Sequence, residues 1–116
     1  MPLESGGWQP AMDIYEGEDR IFVYADLAGV DADSLRVTVT DQQLQVSGVR
    51  ELPTPEAIAC VHQLEMELGA FQRTVTLPAV VDVDRVQSAY SSGILAVTLP
   101  KRARKGRVTI CIKPGA

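Results

Sequence analysis

Leu95, Val97 and Leu99 recur at every second position of the segment Ser91-Ser92-Gly93-Ile94-Leu95-Ala96-Val97-Thr98-Leu99-Pro100. That period lines the three side chains along one face of an extended chain and would scatter them around a helix. The segment therefore reads as a half-buried β-strand. Gly93 supplies the positive φ that a tight turn needs at its start, and Pro100, with no N–H to offer a ladder, ends it.

The same period returns along most of the chain. Strands are expected over 12–16, 20–27, 34–40, 43–48, 62–68, 71–77, 85–90 and 94–99. The turns between them fall at Gly17-Glu18-Asp19, Ala28-Gly29-Val30, Asp41-Gln42 and Gly69-Ala70, with a loop over 81–84. No helical period of useful length and no internal repeat interrupts the series. Many short strands with one apolar face each imply an antiparallel β-sandwich. One stretch breaks the rhythm. Residues 49–61 carry Pro53 and Pro55 and then the small apolar run Ala57-Ile58-Ala59-Cys60-Val61. A connection of this length in a compact domain is usually functional.

With 116 residues the chain fits one domain large enough for a real core. No apolar run approaches the ~18 residues of a membrane span, and the stretch Met1–Gly7 lacks the basic start and apolar centre of a secretory signal, so a cytoplasmic protein is expected. Charge is unevenly placed. Up to Pro100 there are five basic and fifteen acidic residues, giving −10, whereas Lys101, Arg102, Arg104, Lys105, Arg107 and Lys113 make the tail +6. A short basic tail beside an acidic body is read as solvated or docked internally. Tyr15, Phe22, Tyr24 and Phe71 offer rings on which bases stack, but their neighbours are acidic and repel phosphate. No nucleic-acid partner is expected.

Catalytic chemistry finds no foothold. His62 is the single histidine; beside Glu65 it reads as a strand histidine, since no nucleophile or orienting partner is paired with it. No Gly-rich Lys-Ser/Thr loop cradles a phosphate, and one His with the distant Cys60 and Cys111 is a poor zinc set. No catalytic residue, metal or cofactor is assigned.

Several motifs, in order, resemble the alpha-crystallin domain of the small heat-shock proteins over about residues 8–112. Trp8-x-Pro10 with Asp13-Ile14-Tyr15-Glu16 is similar to the family's first strand, and Ala25-Asp26-Leu27-x-Gly29-Val30 to its first long strand and corner, with Ala28 in place of the usual proline. Gln43-Leu44-x-Val46-Ser47-Gly48, Gly69-x-Phe71-x-Arg73-x-x-x-Leu77-Pro78 and Tyr90-x-x-Gly93-Ile94-Leu95-x-Val97 follow in the expected order. Ser88 stands where a small alanine is common, and Gln63 and Met66 where arginines are.

The resemblance implies an antiparallel, immunoglobulin-like β-sandwich over residues 12–100, a short arm over 1–11 and a basic extension over 101–116. It implies an ATP-independent holding chaperone that binds unfolding proteins; a structural or assembly accessory on the same fold is the alternative. Ile110-Cys111-Ile112 looks like the family's C-terminal anchor. One more edge strand of the domain remains the other reading of these two isoleucines. By the same likeness, the groove for anchor or client lies between the strand bearing Leu35, Val37 and Val39 and the strand bearing Val86 and Ser88. The 49–61 excursion matches in length a strand that relatives exchange between subunits, although it carries less charge here. That implies a dimer, open to larger assembly, in which Ala57, Ile58, Ala59, Cys60 and Val61 pair with a partner strand near Asp13, Ile14 and Tyr15.

Overall fold

A computed structural model describes residues 7–103 of the chain. Its strands are β1 (Met12–Glu16), β2 (Arg20–Asp26), β3 (Arg36–Val39), β4 (Gln43–Arg50), β5 (Gly69–Thr76), β6 (Gln87–Ser91) and β7 (Ile94–Pro100). They form two antiparallel sheets, one in the order β1-β2-β7-β6 and the other β3-β4-β5. The chain passes between sheets through the corner at residues 27–31 and a 3-10 turn at Ala32–Ser34, and returns through a 3-10 turn at Val83–Arg85.

Each central strand buries alternate residues. Ile21, Val23 and Ala25 of β2 face Leu99, Val97 and Leu95 of β7 in register, and all six are buried. Leu44 and Val46 of β4 bring the second sheet's inner face to the same core, joined by Phe71, Leu27, Leu77 and Val81. Removing a side chain such as Leu99 or Leu44 from water stabilises the fold by roughly 1.5–3 kcal/mol each. Gly48 belongs to this layer for a steric reason. A Cβ there would meet the Phe71 ring at 3.0 Å and Leu35 at 3.1 Å, so the absent side chain is what lets that ring lie across β4.

Three polar side chains brace the corners. Asp31 and Asp82 each accept a hydrogen bond from the backbone N–H two residues on, at 3.0 and 3.1 Å, and so start the 3-10 turns. The Tyr90 hydroxyl donates to the carbonyls of Leu27 and Val30, tying β6 to the corner between the sheets.

The expected strand over 62–68 does not form. Residues 51–68 run without strand pairing and are exposed throughout, and Gly69 and Ala70 open β5 instead of making a turn. Alternation marks a two-faced segment but does not provide a neighbour, and within one chain no sheet edge is offered to Leu64, Met66 and Leu68. His62 accordingly lies in an exposed loop, not in a strand.

Residues 8–10, grouped with the arm on sequence, are laid against β5. Trp8 and Pro10 are buried. The Trp8 indole Nε1 donates to the Gly69 carbonyl at 3.0 Å, the Gln9 amide to the Gln72 carbonyl at 3.2 Å, and the Arg73 guanidinium to the Pro10 carbonyl at 2.6 Å.

Candidate functional site

The route of residues 8–10 fixes how the two sheets stack. Because these residues lead into β1 while bonded to β5, the edges β1 and β5 share one side of the sandwich. The edges β3 and β6 therefore share the other. This is the side on which the resemblance places the groove.

Side-chain direction along that side follows from register. Val37 pairs with Val46 and Val39 with Leu44, and since Val46 and Leu44 are fully buried, Val37 and Val39 point inward with them. Leu35, just before β3, continues the row and reaches Gly48. On β6, Ser88 pairs with Val97 and Tyr90 with Leu95, both buried, so Ser88 and, two residues earlier, Val86 also point inward. Leu35, Val37, Val39 and Val86 are half-buried and pack on the core. Ser88 is exposed although it shares its face with buried Val97. An inward-pointing residue that stays wet marks an open mouth between the sheets: an apolar floor, two free strand edges and no covering group among the described residues. A mouth of this shape has room for an extended chain, whose backbone could pair with an edge and whose alternate side chains could enter the apolar row.

The residues expected to exchange between subunits lie apart. β1 is the outer strand of its sheet, and Asp13, Ile14 and Tyr15 are exposed on it. Ala57, Ile58, Ala59, Cys60 and Val61 are exposed in the excursion, and the single chain does not bring them to β1. Ile110 and Ile112 lie outside the described residues.

Two features escape sequence reasoning. Leu64 and Met66, expected in a strand, are instead 82% and 65% exposed, an exposure that alternation alone does not reveal. Arg50 is a clamp. Its guanidinium lies 3.9 Å from the centre of the Trp8 ring, donates to the Ala28 carbonyl at 3.0 Å and, through two nitrogens, to the Glu67 carbonyl. It thus joins the arm, the corner and the point where the excursion returns. No spacing rule exposes such a residue, because its partners are backbone carbonyls far away in sequence.

Among the described residues no three His, Cys, Asp or Glu side chains come together to hold a metal ion, and Cys60 is a free, exposed thiol. No helix among the described residues is long and apolar enough to cross a membrane.

Comparison with known proteins meets this geometry from the other direction. The chain is 36% identical over 98 residues to heat shock protein 16 of Schizosaccharomyces pombe, a match covering 83% of this chain and 68% of that one. It is 39% identical over 93 residues to spore protein SP21 of Stigmatella aurantiaca, covering 80% of this chain and 55% of that one. The fold is similar to the crystal structure of a small heat-shock protein from Xylella fastidiosa, described as having a distinct high order structure. There the TM-score is 0.74 at 29% identity, with 93% of this chain and 99% of that chain covered. The model of the Hsp20/alpha crystallin family matches residues 13–113, which takes in both sheets, the mouth and the excursion, and the chain belongs to that family.

Proposed function

We propose that this chain is a cytoplasmic, ATP-independent holding chaperone, a binding protein and not an enzyme, that captures apolar segments of unfolding proteins and keeps them from aggregating. The observation that carries this reading is the open mouth between β3 and β6, where Ser88 faces inward yet stays exposed above an apolar floor. Capture of an unfolded chain competes with its aggregation by mass action and needs no fuel. Ile110 and Ile112 are the chain's own candidate occupants of that mouth. Burying both would contribute roughly 3–6 kcal/mol before ordering costs, a magnitude that suits a cap which exchanges with clients. The exposed β1 edge and the exposed excursion support an exchanged dimer, as building block of a larger assembly like the high order structure reported for the Xylella protein.

Light scattering from a heat-labile model enzyme tests the function. Equimolar to several-fold excess chain is expected to suppress aggregation equally with and without ATP. Protection that requires ATP, or never appears, overturns the reading. Likeness to spore protein SP21 favours the second reading, a structural accessory on the same fold; tight retention by one partner with no aggregation suppression would establish it instead.

A further inference from the structure

The outward face of the four-stranded sheet carries a patch that the mouth and the exchange edge leave without a task. Register places Asp13 opposite Tyr24, Tyr15 opposite Phe22 and Asp26 opposite Ile94. Their neighbours Val23 and Ala25 on β2, and Leu95 on β7, point into the core, so these six side chains all leave the sheet on its outer side. Tyr15 is 56% exposed, Tyr24 and Ile94 40% each, and Phe22 is half-buried. With Asp13 they line a shallow depression of about 480 Å³. The Tyr15 and Tyr24 rings are set edge to face with centres 5.8 Å apart, an arrangement that holds both rings in place.

Outward positions of a strand are ordinarily polar, and a contiguous aromatic and aliphatic patch rimmed by charge marks an interaction surface. The charge here has one dominant sign. Asp13 and Asp26 are both exposed, and among the described residues the one ion pair lies elsewhere, between Lys101 and Glu16 at 2.7 Å. The chain up to Pro100 is −10. Among the described residues the one base on this face, Arg20, lays its guanidinium 5.5 Å from the centre of the Phe22 ring, so one ring of the patch already holds a cation. Aromatic faces accept apolar and cationic groups alike, while the carboxylates attract Lys and Arg and repel acids.

We propose that this face is a second docking surface, for an apolar segment of an unfolding protein flanked by Lys or Arg. The proposal rests on the chaperone reading and names the class of client chain this face selects. Strands sit about 4.8 Å apart, and Ile94 opposite Asp26 lies four positions along β2 from Tyr15 opposite Phe22, so the diagonal from Ile94 on β7 to Tyr15 on β1 is about 16 Å and takes about five extended residues. Their flanking cations then reach Asp26 and Asp13. Pairing of a partner strand at the β1 edge lies in the plane of the sheet and leaves this face open.

Anisotropy of fluorescein-labelled peptides bound to the full chain provides the test. The peptides share one aliphatic centre and differ in flanks of Lys/Arg, Ser or Glu. The basic peptide is expected to bind about tenfold more tightly than the acidic one, with the gap narrowing as NaCl rises from about 0.05 to 0.5 M. The double variant Tyr24→Ser/Ile94→Ser should weaken the basic peptide at least about fivefold. Asp26→Asn leaves the apolar surface intact and should reduce the charge preference alone. Thermal melting confirms that each variant is folded.

Equal affinity for all three peptides, or binding unchanged in both variants, overturns the proposal. So does a fall in oligomer mass for Tyr24→Ser/Ile94→Ser, which would place a second copy of the chain on this face. Aggregation suppression is scored separately. Its absence with peptide selectivity intact removes the chaperone reading, whereas its presence with selectivity lost removes this one.

Discussion

At the scale of single residues, the hairpin between β6 and β7 shows how one backbone position limits stability. Ser92 and Gly93 both have positive φ, 54° and 79°, the pattern of a two-residue type I′ turn whose twist matches that of the strands it joins. Glycine adopts this conformation freely, but serine in it is strained. Ser92→Asn, which gives the Asn-Gly pair these turns favour, is expected to stabilise the domain by about 0.5 kcal/mol and raise Tm by roughly 2 °C, read by calorimetry. The Arg50 clamp predicts a change in the opposite direction. Arg50→Ala removes the hydrogen bonds to Ala28 and Glu67 and uncovers the indole of Trp8, the single tryptophan. A loss of about 1–3 kcal/mol, a red-shifted emission maximum and faster proteolysis within 51–68 are expected. Unchanged fluorescence would show that Arg50 does not cover the ring.

At the scale of elements, legibility in the sequence depended on where a segment finds its partner. β2, β4 and β7 are central strands flanked on both edges by neighbours from the same chain, so alternation was enough to place them, to within a residue or two. The stretch 62–68 alternates as clearly with Leu64, Met66 and Leu68, yet forms no strand, because pairing is a property of two segments and the sequence displays only one. Trp8-x-Pro10 has the converse history: too short for any period, it is nonetheless built into the core, held by carbonyls of β5. Family likeness pointed to a groove between the strand bearing Leu35, Val37 and Val39 and the strand bearing Val86 and Ser88; register adds only that Val37, Val39, Val86 and Ser88 point inward. The patch of Tyr15, Phe22, Tyr24 and Ile94 was invisible as such, since its members come from three strands. Exchange through the excursion predicts that removing residues 53–60 converts the dimer to monomer in light-scattering mass measurements. A dimer mass that survives the deletion would remove that assignment.

At the scale of the whole molecule, the question is which surfaces the proposed assembly and the proposed clients would share. If Ile110 and Ile112 dock between subunits, Ile110→Ala/Ile112→Ala should keep Tm close to the parent and abolish assemblies larger than the dimer. If they form an integral strand, each truncation costs about 2–4 kcal/mol and the double variant melts on the order of ten degrees or more lower. A large melting loss with unchanged mass decides for the strand. The unequal charge of body and tail, −10 against +6, adds a condition: attraction between opposite charges weakens as salt rises, so the mass distribution should be measured at more than one ionic strength.

The passage of Trp8 across β5 has a bearing on traffic between molecules. A strand arriving from an aggregating protein can lengthen a sheet only at an edge it can reach. On the β5 flank it would first have to lift the indole off Phe71 and Arg50, where ring centres lie 5.0 Å apart and the guanidinium 3.9 Å away, and break the bonds to Gly69 and Gln72. Strand addition would thereby be steered to β1, β3 and β6. The chain thus keeps one sheet edge closed with its own residues 8–10, and growth by strand addition acquires a direction.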